Sequence, residues 1–496
     1  MLFYGHVVSS GPVAAWAGST PMARSGPTSI RAWRSSVAGG RAEMAFGASN
    51  RVNVLRDALQ TRLWPVPTVG VLLAVALGVL TPAVDTNVDD NVPPTLSAYL
   101  FGGGADAART VLSAIAGSLI TVTSLTFSLT VVTLQLASSQ FSPRLLRTFS
   151  RDPFVHRTLA LFLGTFAYSL VVLRTVRTST NSRPEFVPKV SITVAVVLTL
   201  VSVFALVLFL DHLATQIRVE TMLDDVHTDA SKTVRRVLQK RPDQPGTQGE
   251  TPTVPPQAPP TACPIEVAES GFLVNVDEDE LLWAACTAGA VVQIDGSPGG
   301  SLVRGTPLGR SWPVGDAPVT EDQQRTLSER VAAAARAGRE RTAAQDIAYG
   351  LRQLTDVATK ALSPGVNDPT TAVHALGHIS GLLCEMVDYQ LGPKLLRDER
   401  GRVRVALERP GLADLLDSAL AQPRRYASTA PNVLARITLV LREVAWRVRE
   451  PDDQQAVRDQ LLRLRETVVQ ADLGTAETAE LARLDALVEQ ALDGRW

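Results

Sequence analysis

The chain has 496 residues, 45% of them hydrophobic, and a formal net charge of −1. That length exceeds one ordinary domain and suffices for two or three, while the near-neutral balance excludes a nucleic-acid partner drawn by a global basic field. The three cysteines, Cys263, Cys286 and Cys384, lack metal-ligand spacing, and their odd number fits free thiols in a reducing compartment.

Residues 1–50 read as an N-terminal extension. The first 43 are rich in Gly, Ser, Ala and Arg and lack an apolar run of signal-peptide length. They are expected to be disordered or an over-extended start, with Met44 as the alternative start. Only five of the 48 basic residues are Lys, a skew that points to a GC-rich bacterial genome and says nothing of function.

Residues 51–215 read as a transmembrane domain. A helix needs roughly 20 apolar residues to cross the ~30 Å hydrocarbon core. Four segments meet that length, at about 63–83, 109–140, 156–176 and 190–210. Trp64 sits at the edge of the first as an interfacial anchor, and the fourth carries no charge from Val190 to Leu210. Arg51, Arg56 and Arg62 precede the first segment, and Arg144, Arg147, Arg151 and Arg157 follow the second. Arg218, Lys232, Arg235 and Arg236 follow the fourth, whereas the loop after the first holds Asp85, Asp89, Asp90 and Asp106. Positive loops stay inside, so both termini are expected in the cytoplasm of a multi-pass protein of the bacterial plasma membrane. The loop with Arg174, Arg177, Arg183 and Lys189 dissents.

The second segment differs from the others. Thr110, Ser113, Gly117, Thr121, Ser124, Ser128, Gln135 and Ser142 recur at helical spacing, interrupted only near Val131, and Thr123, Thr126, Thr130 and Thr133 mark the opposite face. Two readings stand. Small hydroxyl residues let helices approach closely and bond back to their own carbonyls. Alternatively, the stripe lines a water-filled path in an oligomer, where hydroxyls partly replace ion hydration. Gln135 favours the second, because a lone amide facing lipid is costly. No charge lies between Thr110 and Ser142, which argues against a proton relay along this helix.

Residues 216–262 read as a charged helix, Asp211–Arg241 with its approach, and a Pro-rich linker, Pro242–Thr261. Residues 263–316 change period into a small β-rich module of strand, short helix, strand, Gly/Pro turn and strand. The run from Gly271-Phe272-Leu273 to Gly305-Thr306-Pro307-Leu308 resembles the lipoyl/biotinyl-type hammerhead. No Lys lies between Lys240 and Lys360, so such a module could carry neither lipoate nor biotin and would serve for structure or docking. Residues 317–496 read as a helical domain. Thr320 caps a helix, apolar residues run at helical spacing from Arg325 to Ala361, and Ser363–Pro369 breaks the helix. There Pro364 stops the helix, Gly365 is free to take positive φ, Asn367 and Asp368 are capping residues, and Thr370 or Thr371 restarts the chain. Further helices are expected at about 411–420, 426–449, 452–471 and 475–492. The fold class is therefore mainly α: four membrane helices, then a cytoplasmic α+β region of a hammerhead-like module and a helical bundle.

Catalytic chemistry is not legible. His374 and His378 are four apart, but Ala375 stands where a zincin has Glu, so helix packing is the expected role and no metal is assigned. Ser363 lacks a nucleophile elbow, and no phosphate-cradling or dinucleotide fingerprint occurs, so no cofactor is expected. Arg339, Glu340, Arg341 and Asp346 form either a salt-bridged face or an anion or subunit contact.

Two stretches, Ser118–Phe149 and Glu340–Ala372, resemble the bacterial predicted-membrane-protein family called domain of unknown function 2254. The matching positions include Gln135, Ser139, Gln140, Ser142, Pro143 and Arg144 in the first half. In the second they include Arg341, Gln345, Asp346, Ala361, Leu362, Ser363, Pro364, Gly365, Asn367, Asp368, Pro369 and Thr370. The resemblance implies membrane residence and supplies no activity. The expected function is an oligomeric channel-like protein lined by Ser113, Gly117, Thr121, Ser124, Ser128, Gln135 and Ser142, passing a small ion or unidentified ligand. The alternative is a non-transporting scaffold or sensor, and an enzyme is the weakest reading.

Overall fold

The computed structural model describes residues 64–88, 100–140, 152–179, 185–216, 218–241, 254–315 and 320–496. The extension 1–50, the first part of the Pro-rich linker, and Ser142 with Pro143 and Arg144 lie outside these residues.

Four long helices open the described chain: α1 (Pro65–Val88), α2 (Ala105–Gln140), α3 (Pro153–Thr175) and α4 (Lys189–Gln216). Each is long and apolar enough to cross a membrane. The 36 residues of α2 rise about 54 Å, well beyond a hydrocarbon core. Asp152 caps α3 by accepting from the Phe154 N–H, ahead of a proline in the first turn.

Small residues let α1 and α3 touch at backbone distance. A Cβ on Gly70 would lie 2.9 Å from the Ala160 Cβ, and one on Gly78 would lie 3.0 Å from the Val171 Cβ. Leu112, Phe162, Tyr168, Val172 and Ile192 fill the space among the helices. Asp85 at the end of α1 caps the start of α4, accepting from the N–H groups of Val190 (2.8 Å) and Ser191 (3.1 Å) and from Ser191 Oγ (2.6 Å). Tyr168 donates to the Ser191 carbonyl at 3.0 Å, so its oxygen accepts from Thr81 at 2.9 Å. The outer surface stays apolar, with Leu72, Leu73, Val79, Phe204 and Val207 exposed. Water would not tolerate so large an apolar surface, whereas lipid would.

The charged helix expected through Arg241 is divided. After α4 ends at Gln216, α5 (Val219–Val237) buries Met222, Leu223, Val226 and Ala230 in the helical core. Strands β1 (Cys263–Glu266) and β2 (Gly271–Val276) precede α6 (Glu278–Thr287), then β3 (Ala290–Ile294), β4 (Ser301–Leu302) and β5 (Pro307–Pro313) follow.

The sheets draw on residues beyond 263–316. The expected helix over Arg325–Ala361 is broken: α7 (Glu321–Ala334) runs into β6 (Ala335–Gly338), and α8 (Ala348–Ala361) begins later. Ala-rich sequence favours helix locally, but β6 pairs antiparallel along β2, and satisfying that edge outweighs propensity. After α9 (Pro369–Met386), a hairpin of β7 (Lys394–Arg397) and β8 (Val403–Leu407) enters the larger sheet. Its order is β1-β5-β3-β8-β7, with β3 and β8 parallel; the smaller sheet runs β4-β2-β6. Ile265, Leu273, Leu281, Val292, Leu327 and Val405 form the core of this region. Helices α10 (Leu412–Tyr426), α11 (Pro431–Arg447), α12 (Pro451–Gln470) and α13 (Thr475–Leu492) close the chain near their expected positions.

Candidate functional site

The two faces of α2 have different fates. Thr123, Thr126, Thr130 and Thr133 are buried. Thr123, Thr130 and Thr133 donate to the carbonyl four residues back at 2.7–2.9 Å, and Thr126 Oγ1 is buried without a partner. Ser113, Gly117, Thr121, Ser124, Ser128 and Gln135 are all exposed. At 100° per residue these six fall within an arc of roughly 80°. Among the described residues the stripe therefore lies on the exposed face of α2.

Gly117 sharpens this. Gly70 in α1 and Gly164 in α3 face a neighbouring backbone, but a Cβ on Gly117 would meet nothing within 4 Å. The order Ser113-x-x-x-Gly117-x-x-x-Thr121 places three small residues one turn apart, the spacing at which membrane helices approach closely.

The motif in the soluble half divides between the two ends of α8, about 20 Å apart by helical rise. At its start, Arg341 grips the carboxylate of buried Asp346 through Nε (2.9 Å) and Nη2 (2.6 Å). Asp346 Oδ1 also accepts from the Ala348 N–H at 3.1 Å. Burial pushes the Asp346 carboxyl above its ordinary range, against the pull of Arg341. Gln345 clasps β2, accepting from the Val276 N–H at 2.7 Å and donating to its carbonyl at 3.0 Å. The carboxylate lies over Gly299, φ +88°, where a Cβ would be 2.0 Å from Asp346 Oδ2. Arg341, Gln345 and Asp346 therefore pin the start of α8 to the β2–β4 region, and the Arg/Asp cluster is a salt bridge.

At the other end, Ser363–Pro369 forms a tight turn. Ser363 Oγ donates to the Lys360 carbonyl, and the Asn367 and Asp368 N–H groups bond back to Ser363 and Ala361. Asn367, at φ 48°, takes the left-handed conformation that Gly365 was expected to supply. Asp368 caps α9 through the Thr371 N–H (3.1 Å) and hydroxyl (2.6 Å), which hold its carboxyl below the usual range. Pro369 opens α9, one or two residues before the expected restart at Thr370 or Thr371. Nothing here activates Ser363.

His374 and His378 lie on the exposed side of α9. They meet His227 and Glu220 of α5 and Arg436 of α11 in a cleft of about 430 Å³. His227 Nδ1 lies 3.1 Å from the His378 carbonyl, so it carries the hydrogen and donates. The two rings stand edge to face, 5.4 Å between centroids. His374 Nδ1 is 3.8 Å from Glu220 Oε1. Among the described residues no set of three His, Cys, Asp or Glu is arranged to hold a metal. Cys384 lies farther along α9, its thiol pushed up to about 11 by burial, which leaves it an unreactive thiol at neutral pH. His227 and Glu220 were not legible as site residues, because only tertiary packing brings α5 against α9.

Four spans of membrane length, an apolar outer surface and an α+β region after the last span define a membrane protein with four candidate transmembrane helices. The chain belongs to the family described as predicted membrane protein, domain of unknown function 2254, whose model matches residues 60–443. It is similar to uncharacterized proteins of Mycobacterium tuberculosis (Rv1290c) and Mycobacterium bovis (Mb1321c), each 35% identical over 412 residues, covering 83% of this chain and 77% of the relative. No solved structure matches it.

Proposed function

We propose that this protein is a multi-pass component of the bacterial plasma membrane that assembles with further copies of itself around α2. In that assembly Ser113, Gly117, Thr121, Ser124, Ser128 and Gln135 face a shared axis and form the wall of a path for a small ion. The region after α4 lies in the cytoplasm with the N-terminus and regulates the path. The observation that carries the reading is Gly117, a small residue on a polar stripe that the described residues leave uncovered. The orientation rests on the Arg-rich approach to α1 and the bases of α5.

The test is disulfide trapping with planar-bilayer recording. In a chain with its three native cysteines replaced by Ser, Ser124→Cys is expected to crosslink copies, and Val203→Cys on the exposed apolar surface of α4 is not. Reconstituted wild type is expected to pass current that Gln135→Leu alters. A monomer that passes no current overturns the pore and leaves the scaffold or sensor reading.

A further inference from the structure

Three of the chain's six histidines converge where the helical bundle meets α5, the helix that begins just after α4 ends at Gln216. The α2 reading makes no use of them. We infer that the His227–His374–His378 cleft is a proton-binding switch, which loosens α5 from α9 when His227 and His378 are both charged.

The geometry sets the conflict. His227 is held by its Nδ1–H bond to the His378 carbonyl, so an added proton must go to Nε2. The Cε1 corner of the ring lies against Gly381, where a Cβ would sit 3.1 Å from Cε1 and 3.9 Å from Nε2. Gly381 brings no side-chain acceptor. His378 stands 5.4 Å away, ring to ring, and two positive rings at that separation repel.

The surrounding charges do not resolve it. On α5, Glu220 Oε1 lies 3.8 Å from His374 Nδ1, while the Asp224 charge favours protonation of His378. On α9, Asp368 is engaged at the helix cap, and Glu385, whose carboxylate interacts with His227, is already held by Ser231 and by Arg235 at 2.7 Å. On α11, Arg436 is bound to Glu443 by two hydrogen bonds, at 2.8 and 3.0 Å. From α8 no residue lines the cleft.

Burial first, then His227 and His374, depress the proton affinity of His378 below the ordinary imidazole value of 6.5. The loosened state therefore binds more protons than the packed one below that value. Packing of α5 is unaffected above pH 6.5 and weakens as pH falls through the window beneath it.

Hydrogen exchange on the full chain in detergent micelles, with EDTA present throughout, reads this directly. Between pH 7.5 and 5.5, after correction for intrinsic rates, wild-type protection across residues 219–237 is expected to fall severalfold. The double variant His227→Gln/His378→Gln is expected to keep wild-type protection at pH 7.5 and lose the pH response, and His374→Gln to retain the response. The single variant His378→Gln serves if the double variant fails to fold. Unchanged wild-type protection, or an equal loss in the His378 variants, overturns the switch. None of these outcomes depends on whether α2 forms a pore.

Discussion

Asp346 is buried, and Arg341 holds its carboxylate there together with the Ala348 N–H. The pair shares two short hydrogen bonds over a glycine that leaves no room for a side chain. Asp346→Ala would take two hydrogen bonds from the Arg341 guanidinium and free the Ala348 N–H. Breaking one partner of a buried pair typically costs about 3–5 kcal/mol, and partial access of water to Arg341 puts this case near the lower end. Denaturant unfolding of the full chain followed by tryptophan fluorescence is expected to show a loss of that size, and Arg341→Lys a smaller one. The sequence placed Arg341 and Asp346 in one cluster, because they are five residues apart. It left open whether they pair or bind an anion, and it could not supply Gly299, which arrives from another turn. Local chemistry misassigned the left-handed residue, since Gly365 and Asn367 both tolerate positive φ and only the closed turn selects Asn367.

Among the elements, α2 contrasts most with its neighbours. Its buried threonines and exposed serines have similar composition, and only packing separates their roles. Glycine tests the difference. Gly70→Leu should drive α1 from α3, because even a Cβ meets Ala160 at 2.9 Å. Gly117→Leu should leave the bundle intact, because nothing lies within 4 Å. Thermal aggregation in detergent is expected to fall by several degrees for Gly70→Leu and to stay unchanged for Gly117→Leu. Only Gly117→Leu should change the crosslinking of copies while its own fold persists. The four spans were readable because a membrane helix declares itself by length and hydropathy alone. Strand β6 was not, because an Ala-rich segment is a helix by propensity and becomes a strand only where β2 needs a partner.

Over the whole molecule, the boundary drawn at residue 316 marks a change in composition, while the sheet ignores it. Parallel pairing of Val292 with Val405 stitches the middle of the chain to a hairpin that follows α9. Val405 is fully buried in the sheet core. Val405→Asp is therefore expected to expose the edge of β3, and limited proteolysis should then cut within 263–315, where wild type resists. A hairpin so distant in sequence has no local signature of its destination. The same pairing governs the birth of the protein. At roughly 5–20 residues per second, a ribosome needs about 6–20 s to travel from β3 to β8. Through that interval β3 leaves the translation machinery with one side bare, while the four apolar helices are already passing to lipid. An edge strand without its neighbour is a template for the wrong chain. The nascent polypeptide therefore depends on whatever shields Ala290–Ile294 until the hairpin arrives.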